Sequence, residues 1–222
     1  MLAPERGTTM AFFGVTAKNE AQKRAMQALC NDKPFTFLTG PAGTGKTLIA
    51  QAVGLERTIE QRDFRKLVYT RLQTQVGMDV GALPGDLNEK TYPFVAPFMD
   101  NLEIMTTHPS EIKRYFSEAD DDKRKIFFDT IQTVRGRSLN HTFFLLDEAQ
   151  NVDIQTMCAV ATRPGMNAKF VFCGNFAQVD NAKLRNVHTN GLYQLLNGLY
   201  ERQAFEMAPE FAELGARGNV AE

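Results

Sequence analysis

Residues 40–47 read Gly40-Pro41-Ala42-Gly43-Thr44-Gly45-Lys46-Thr47, and they match the pattern G-x-x-x-x-G-K-[ST] at every fixed position. An apolar run at 35–38 precedes them, and apolar residues recur at helical spacing over 48–53. These flanks predict a strand before the loop and a helix after it. Because a phosphate-binding loop requires this context, such a loop explains the motif better than a chance glycine-rich turn does.

The residue types of this loop indicate its chemistry. Glycines allow the backbone to curl, so that several N–H groups and a helix N-terminus point at one anion. Lys46 is expected to reach the β and γ phosphates of a nucleotide, and the Thr47 hydroxyl is expected to coordinate Mg²⁺. The sequence therefore predicts a polyphosphate site whose metal arrives with the nucleotide.

Length and composition set the broad class of the protein. With 222 residues and 43% hydrophobic content, the chain suits one α/β domain with a built-out loop region. Its formal charge of −1 gives no overall positive field that would attract nucleic acid, but a local basic rim is compatible with it. The three cysteines are expected to be buried thiols, and the three scattered histidines argue against a zinc site. The sequence contains no signal peptide or membrane span, so we expect a soluble, cytoplasmic protein without membrane contact.

Apolar patterns predict a mostly parallel sheet flanked by helices, in a single domain over 1–222. The core strands are expected at Phe35–Leu38, Lys66–Thr70, Phe143–Leu146 and Lys169–Cys173. We expect a loose arm at 1–15, a helix from Asn19 to Cys30, an insertion at 77–140 and a flexible tail at 209–222. Inside the insertion, helices are expected within Tyr92–Met105, Glu111–Ala119 and Lys123–Thr130.

The strand at 143–146 ends in two adjacent carboxylates, Asp147 and Glu148, which is the form of a Walker B segment. A buried strand that ends in acids is costly unless a cation matches them. Asp147 is expected to hold Mg²⁺, chiefly through water, and Glu148 to polarise the water that attacks the γ-phosphate. An exposed acidic turn is the alternative, and it would be preferred if this motif stood alone.

Five segments together resemble one family of P-loop ATPases. They are the loop at 40–47, Leu83-Pro84-Gly85-Asp86-Leu87, Arg135-Gly136-Arg137, Asp147-Glu148-Ala149-Gln150-Asn151, and Cys173-Gly174-Asn175-Phe176-Ala177-Gln178. The last is similar to the G-D-x-x-Q element of superfamily 1 helicases, and the set in this order resembles the PhoH family. The resemblance implies a RecA-like P-loop NTPase core with a helical insertion between the second core strand and the Walker B strand. It also implies that the fourth strand lies between the P-loop strand and the Walker B strand.

The resemblance assigns roles to residues outside the P-loop. Gln178 is implied to sense the γ-phosphate or to orient water, and Gln22 resembles an adenine-reading glutamine, with a solvated helix residue as the alternative. Arg71 matches an arginine that ends the second strand, where it would touch nucleic-acid phosphate or stabilise the loop; Leu72 replaces the family's proline. Arg135 and Arg137 would bind phosphate of the nucleotide or of RNA, or pair with acids of the insertion.

Two departures from the family pattern bear on activity. Asn175 stands where an aspartate is usual, so it can help to bind the nucleotide only as a neutral group. The C-terminal Arg-Ser-x-Leu-Ala-x-Leu element has its best frame at 208–214, without the arginine. If that arginine is the trans-acting finger, turnover is expected to be slow unless Arg202 or Arg217 replaces it.

The resemblance implies an ATPase that uses ATP and Mg²⁺ and couples hydrolysis to remodelling or movement on RNA or single-stranded DNA. A nucleotide-gated assembly that turns ATP over slowly is the second interpretation, and a small-molecule kinase is the third. The resemblance also implies a homo-oligomer, a ring of six subunits. The compact length is similar to stand-alone short forms such as those that phages carry, which would place the protein in the host cytoplasm.

Overall fold

A computed structural model describes residues 11–72, 87–106, 109–118, 123–134, 136–201 and 210–213. For 87–94, 200–201 and 210–213 the description is of the backbone alone. Several residues of the sequence analysis therefore lie outside the described part: the segment at 83–86, Arg135, Arg202 and Arg217.

The structure describes two kinds of element that alternate along the chain. The strands are β1 (Ala11–Phe12), β2 (Val15–Thr16), β3 (Phe35–Thr39), β4 (Lys66–Arg71), β5 (Ile126–Phe128), β6 (Thr142–Asp147), β7 (Lys169–Gly174) and β8 (Glu210–Glu213). The α-helices are α1 (Glu20–Cys30), α2 (Lys46–Leu55), α3 (Leu87–Met105), α4 (Pro109–Ser117), α5 (Ile131–Val134), α6 (Ile154–Ala161) and α7 (Gly191–Glu201).

Strands β3 to β8 form one parallel sheet in the order β5-β4-β6-β7-β3-β8. The predicted α/β class and the position of β7 between the P-loop strand and the Walker B strand are confirmed. Because the strands are parallel, the carboxyl ends of β3, β6 and β7 meet at one edge of the sheet, where ligands bind in open α/β folds. The segments that follow these three strands are the ones that carry the predicted site.

Each central strand is buried on both faces, which explains its continuous apolar sequence. Phe143 and Leu145 of β6 face one core, which α1, α2, α3 and α4 cover, whereas Phe144 and Leu146 face the other core, which α5, α6 and α7 cover. Full burial of such a side chain contributes about 1.5–3 kcal/mol. The two cores therefore hold the sheet rigid behind its carboxyl edge.

The connection between β3 and α2 needs glycine. Gly40, Gly43 and Gly45 have φ values of 148°, 72° and 88°, which side chains with a Cβ rarely adopt. Gly45 is the N-cap of α2, and its carbonyl accepts the first helical hydrogen bond from the Ile49 N–H at 2.9 Å. The loop at 40–47 thus ends at the N-terminus of a helix whose axis is anchored in the core.

Three predicted segments differ from the structure. The helix expected at Lys123–Thr130 is wrong, because Ile126–Phe128 form β5 and pair with β4 at the sheet edge. Residues 11–16 of the expected loose arm and its flank form the hairpin β1–β2, which packs on the core through Phe12 and Phe13. Residues 210–213 of the expected flexible tail form β8 and pair with β3.

Two further observations concern cysteines and membranes. Cys173 is buried and Cys30 is half-buried, as expected of core thiols, but Cys158 is exposed on α6, which corrects that expectation. Within the described ranges, the structure contains no helix that is long and apolar enough to cross a membrane.

Candidate nucleotide-binding site

A cleft of about 270 Å³ opens at the carboxyl edge of the sheet. Its walls come from the loop after β3, the two acids at the end of β6 and the turn after β7, as the parallel topology requires. Helix α3 supplies the remaining wall. The residues that line the cleft are Ala42, Gly43, Gly45, Lys46, Thr47, Leu48, Asn101, Ile104, Asp147, Glu148, Cys173, Gly174, Asn175 and Gln178.

Lys46 folds back over its own loop. Its Nζ donates to the Gly40 carbonyl at 2.9 Å and to the Pro41 carbonyl at 2.7 Å. The Thr44 hydroxyl also donates to the Pro41 carbonyl, at 2.9 Å, and so closes the loop. Burial lowers the pKa of Lys46 below its usual value, although the carboxylates at the end of β6 act in the opposite direction. The loop therefore holds a cation at its centre.

Asp147 joins the phosphate-binding loop to the Walker B strand. Its Oδ1 accepts from the Thr47 hydroxyl at 2.7 Å, and its Oδ2 accepts from the Tyr69 hydroxyl at 3.2 Å and from Arg71 Nη1 at 3.1 Å. The carboxylate is buried, and all of these partners come from neighbouring strands or from the start of α2. Burial, together with the charge of Asp147, raises the pKa of Tyr69, so this hydroxyl stays a donor.

Glu148 sits on a strained turn directly after β6. Its φ of 56° is left-handed, which is uncommon for a residue with a side chain and is typical of functional positions. Oε1 lies 3.4 Å from Arg71 Nη2, and Oε2 accepts from Gln150 Nε2 at 2.6 Å. Both oxygens of the predicted base therefore have protein partners.

Arg71 lies between the two acids, at the end of β4. Burial opposes its charge, but Asp147, Tyr69 and Glu148 outweigh burial and raise the pKa of Arg71 above its usual value. One guanidinium thus balances both carboxylates, at 3.1 Å from Asp147 and 3.4 Å from Glu148.

Gln150 is one of the residues near the cleft for which the sequence predicted no role. Its side chain is fully buried; Nε2 donates to Glu148 and, at 3.0 Å, to the Gln178 carbonyl, and Oε1 accepts from the Asn175 N–H at 3.0 Å. Its own carbonyl accepts from Asn190 Nδ2 at 2.8 Å. Gln150 therefore ties the turn after β6 to the turn after β7. Its position two residues after Glu148, inside a quoted motif, was the available signal.

Asn175 and Gln178 form the turn after β7. Asn175 Oδ1 accepts from the Ala177 N–H at 3.0 Å, and the Asn175 carbonyl accepts from the Gln178 N–H at 3.0 Å. An asparagine makes this turn as an aspartate would, but without the charge. Gln178 has an exposed side chain that lines the cleft.

Gln22 supports the loop at 40–47 by a hydrogen bond to its backbone. It is buried, its Nε2 donates to the Thr44 carbonyl at 2.9 Å, and its Oε1 accepts from the Lys18 N–H at 2.8 Å. Among the described residues that line the cleft, Gln22 does not occur. The predicted contact with adenine stays a prediction, and the alternative of a solvated helix residue is wrong.

Arg137 lies outside this cleft. Its Nη1 lies 3.3 Å from Asp129 Oδ2, and its side chain is half exposed, at 51%. Asp129 falls within the predicted insertion, so the structure has the ion pair that we named as the alternative to phosphate binding. Exposed ion pairs of this kind contribute little to stability, about 0–1 kcal/mol.

The wall from α3 was not predicted. Gln51 of α2 donates from Nε2 to the Phe98 carbonyl at 2.9 Å, and its Oε1 accepts from Asn101 Nδ2 at 3.0 Å. These bonds join α3 to the helix that follows the loop. Ile104 is 66% exposed at the cleft, so it offers an apolar surface to a bound group.

The residues present fit a Mg²⁺ ion. Thr47 Oγ1 and Asp147 Oδ1 are hard oxygen donors that already lie 2.7 Å apart, and Arg71 shows that a cation is favourable beside them. No group of three or more His, Cys, Asp or Glu side chains in the described part of the chain is arranged to hold a metal. This donor set suits a metal that takes its other ligands from a nucleotide and water.

Comparisons with known proteins assign the family. A family model described as "PhoH-like protein" matches residues 14–214. Protein PhoH2 of Bacillus subtilis is 36% identical over 183 residues, which are 81% of this chain and 40% of the relative. A PhoH-like protein of Synechocystis is 33% identical over 178 residues, which are 80% of this chain and 51% of the relative. The chain therefore spans about half of such relatives, or less.

One solved structure shows the same fold at low sequence identity. The large terminase of a thermophilic bacteriophage aligns with a TM-score of 0.51 and 11% identity, over 96% of this chain and 48% of that one. At this identity the likeness is one of fold alone. The match at 14–214 and the two curated relatives assign the family: the chain belongs to the PhoH-like protein family.

Proposed function

We propose that this chain binds ATP with Mg²⁺ and hydrolyses it. The observation that carries the proposal is the 2.7 Å hydrogen bond between Thr47 Oγ1 and Asp147 Oδ1, which brings the two halves of a nucleotide site together from residues 100 positions apart. Lys46 and Glu148 line the same cleft. A phosphate-binding loop and an acidic strand end with no shared function would have no reason to converge in this way.

In the proposed reaction each group has a separate task. The N–H groups of 43–47 and the N-terminus of α2 bind the phosphates, and Lys46 turns from its loop carbonyls to the β and γ phosphates. Bound Mg²⁺ would neutralise phosphate charge. Glu148 accepts a hydrogen bond from the attacking water and orients it, and Gln178 lies on the opposite turn, where it contacts the γ-phosphate or that water.

Arg71 and Gln150 orient the Glu148 carboxylate. They contact its two oxygens, at 3.4 and 2.6 Å. Each carboxylate oxygen has two lone-pair sites, so Glu148 can accept a hydrogen bond from water while both contacts persist. Arg71, whose guanidinium is 26% exposed and also contacts Asp147, is the group with which bound Mg²⁺ would compete.

Calorimetry with ATP and Mg²⁺ tests the proposal directly. We expect Lys46→Ala to lose nucleotide binding and Glu148→Gln to bind ATP normally but to release no phosphate. Glu148→Gln keeps the size and the Gln150 side of the contact, so it separates catalysis from binding. If the unmodified folded chain gives no heat with ATP or GTP in the presence of Mg²⁺, the proposed function is wrong.

We also propose a polymer partner and an assembly. The partner is RNA or single-stranded DNA, and the assembly is a homo-oligomeric ring of six subunits. Both proposals extend the family resemblance. The matched region is 40% and 51% of the two curated relatives, so each proposal needs its own experiment. ATPase rates with and without poly(U), and the mass from light scattering with and without nucleotide, test them. A rate unaffected by polymer at every salt concentration, or the mass of one chain throughout, would contradict them.

A slow nucleotide-gated module is the second candidate. The neutral Asn175 favours it, because it stands where an aspartate is usual and so offers no charge to Mg²⁺ from the turn after β7. Single-turnover hydrolysis in the assembled state separates the two candidates. Rapid phosphate release would eliminate the slow module, whereas tight ATP binding with negligible release would favour it.

A further inference from the structure

An exposed pair of aromatic rings lies beside the nucleotide cleft. Phe176 is 40% exposed and Tyr193 is 38% exposed, and their ring centroids are 6.1 Å apart at an interplanar angle of 79°. Phe176 belongs to the turn after β7, between two cleft residues, and Tyr193 lies in the first turn of α7. The two rings are neighbours, so they form one small exposed aromatic surface.

The chain between the two rings carries positive charge. Across 174–200 the sequence contains two basic residues, Lys183 and Arg185, together with His188 and one acid, Asp180. The segment folds back on itself, because Arg185 Nε donates to the Val179 carbonyl at 3.2 Å and the ring pair closes its ends. Lys183 and Arg185 are both exposed. This segment therefore combines ring faces with cations, the pairing that binds bases and phosphates of a single strand.

We propose that Phe176 and Tyr193 form a stacking platform for the bases of a single-stranded polynucleotide, with Lys183 and Arg185 on its phosphates. This proposal rests on the proposed function, which supplies the class of ligand. It adds the place on this chain where that ligand binds. Stacking accepts any base, so the platform would bind without regard to sequence.

A contact between subunits is less well supported at this surface. A fully buried aromatic ring removes about 150–250 Å² from water, so the exposed parts of two such rings offer roughly 120–200 Å². A stable interface needs about 800 Å² on each side, with an apolar centre. The surroundings are instead mixed, with Asn181, Asn186 and His188 exposed and Val187 as an exposed apolar side chain, at 43%.

The platform is connected to the catalytic carboxylate by hydrogen bonds. Buried Asn190 accepts from the Tyr193 N–H at 3.0 Å and donates to the Gln150 carbonyl at 2.8 Å. The side chain of Gln150 contacts Glu148, and it also holds the N–H of Asn175, the neighbour of Phe176. The backbone of Tyr193, and that of the residue before Phe176, are thus joined to the network that contacts Glu148.

Binding of a labelled 12-nucleotide oligouridylate and the matching oligothymidylate to the full chain tests the platform by fluorescence anisotropy. Phe176→Ala and Tyr193→Ala should each weaken binding by about 5-fold to 150-fold, the effect of losing one stacked base, whereas Tyr193→Phe should retain it. The double variant Lys183→Gln and Arg185→Gln should make binding less dependent on salt, so that the plot of log affinity against log salt concentration becomes less steep. Met166→Ala is the matched control, because Met166 is a 72% exposed apolar side chain elsewhere on the surface.

The outcomes separate the platform from the proposed function. If the unmodified chain binds either oligonucleotide and the ring variants bind it equally well, the platform is wrong and the polymer partner stands. If the unmodified chain binds ATP but neither oligonucleotide, both the platform and the polymer partner are wrong, and the ATPase proposal stands. If Phe176→Ala lowers the mass measured by light scattering, the rings are a subunit contact, and the platform is again wrong.

Discussion

Replacement of Gln150 by leucine removes three side-chain hydrogen bonds from a fully buried position without creating a large cavity. The lost contacts are those with the Glu148 carboxylate at 2.6 Å, the Gln178 carbonyl at 3.0 Å and the Asn175 N–H at 3.0 Å. The bond to a charged acceptor is worth about 1.5–3 kcal/mol, and each of the other two about 0.5–1.5 kcal/mol. Burial of the leucine returns roughly 1–2 kcal/mol. The middle of these ranges is a net loss of about 3 kcal/mol, so we expect about 2–4 kcal/mol of unfolding free energy to be lost.

For a chain of this size, that loss corresponds to a fall in Tm of about 4–16 °C. Thermal unfolding followed by circular dichroism measures it. Gln155→Leu on α6 is the matched control, because Gln155 is exposed and its replacement should change stability by no more than about 0.5 kcal/mol.

The same variant separates positioning of the base from nucleotide binding. Gln150 contacts Glu148 but is absent from the residues described as lining the cleft, so ATP affinity should hold while the hydrolysis rate falls. A Tm within about 2 °C of the unmodified chain would refute the assigned contacts. Equal loss of ATP affinity and hydrolysis would refute the separate role of Gln150.

Three further predictions follow from other contacts. Gly54→Ala should destabilise the fold by about 1–3 kcal/mol, because the added Cβ would lie 2.7–2.8 Å from core side chains. Gly198→Ala has open space around it and should stabilise α7 by about 0.5–1 kcal/mol. Urea unfolding measures both changes. Lys169→Met should lower the free energy of unfolding by about 2–4 kcal/mol, because the buried ammonium donates to carbonyls at and just after the end of α1. An unchanged urea midpoint would count against that role. Arg71→Gln should tighten the binding of Mn²⁺, added without nucleotide, roughly tenfold, because the guanidinium competes with the metal for Asp147 and Glu148. Electron paramagnetic resonance measures the free Mn²⁺. Weaker binding would show that Arg71 organises the site instead.

Long apolar runs in this sequence predicted the core well. Phe143–Leu146 and Phe170–Cys173 lie in strands that are buried on both faces, and such strands are recognisable because every one of these positions is apolar. The three-residue strand Ile126–Phe128 was missed for the opposite reason. Its apolar run is too short to show a period, and its strand geometry comes from pairing with β4, which is distant in sequence.

The candidate site divides in the same way. Lys46, Thr47 and Asp147 converge as the motifs predicted, because their motifs follow neighbouring strands. The contacts of Gln150 and of Ile104 depend on how turns and α3 pack in three dimensions, and the position of Gln150 in its motif does not reveal which groups it contacts. Gln22 shows the same limit, since helical spacing located it but did not reveal its bond to the Thr44 carbonyl.

The pairing of β3 constrains how the chain reaches its native state. Phe35 pairs with Phe170 of β7, and Thr36 pairs with Glu210 of β8, so the strand that carries the loop at 40–47 finds its neighbours only after these distant segments have been made. Closing such large loops is entropically demanding, and parallel pairings of this kind are slow to form. A nascent chain still short of β7 therefore leaves the apolar β3 exposed, and the loop at 40–47 becomes fixed only after β3 has paired.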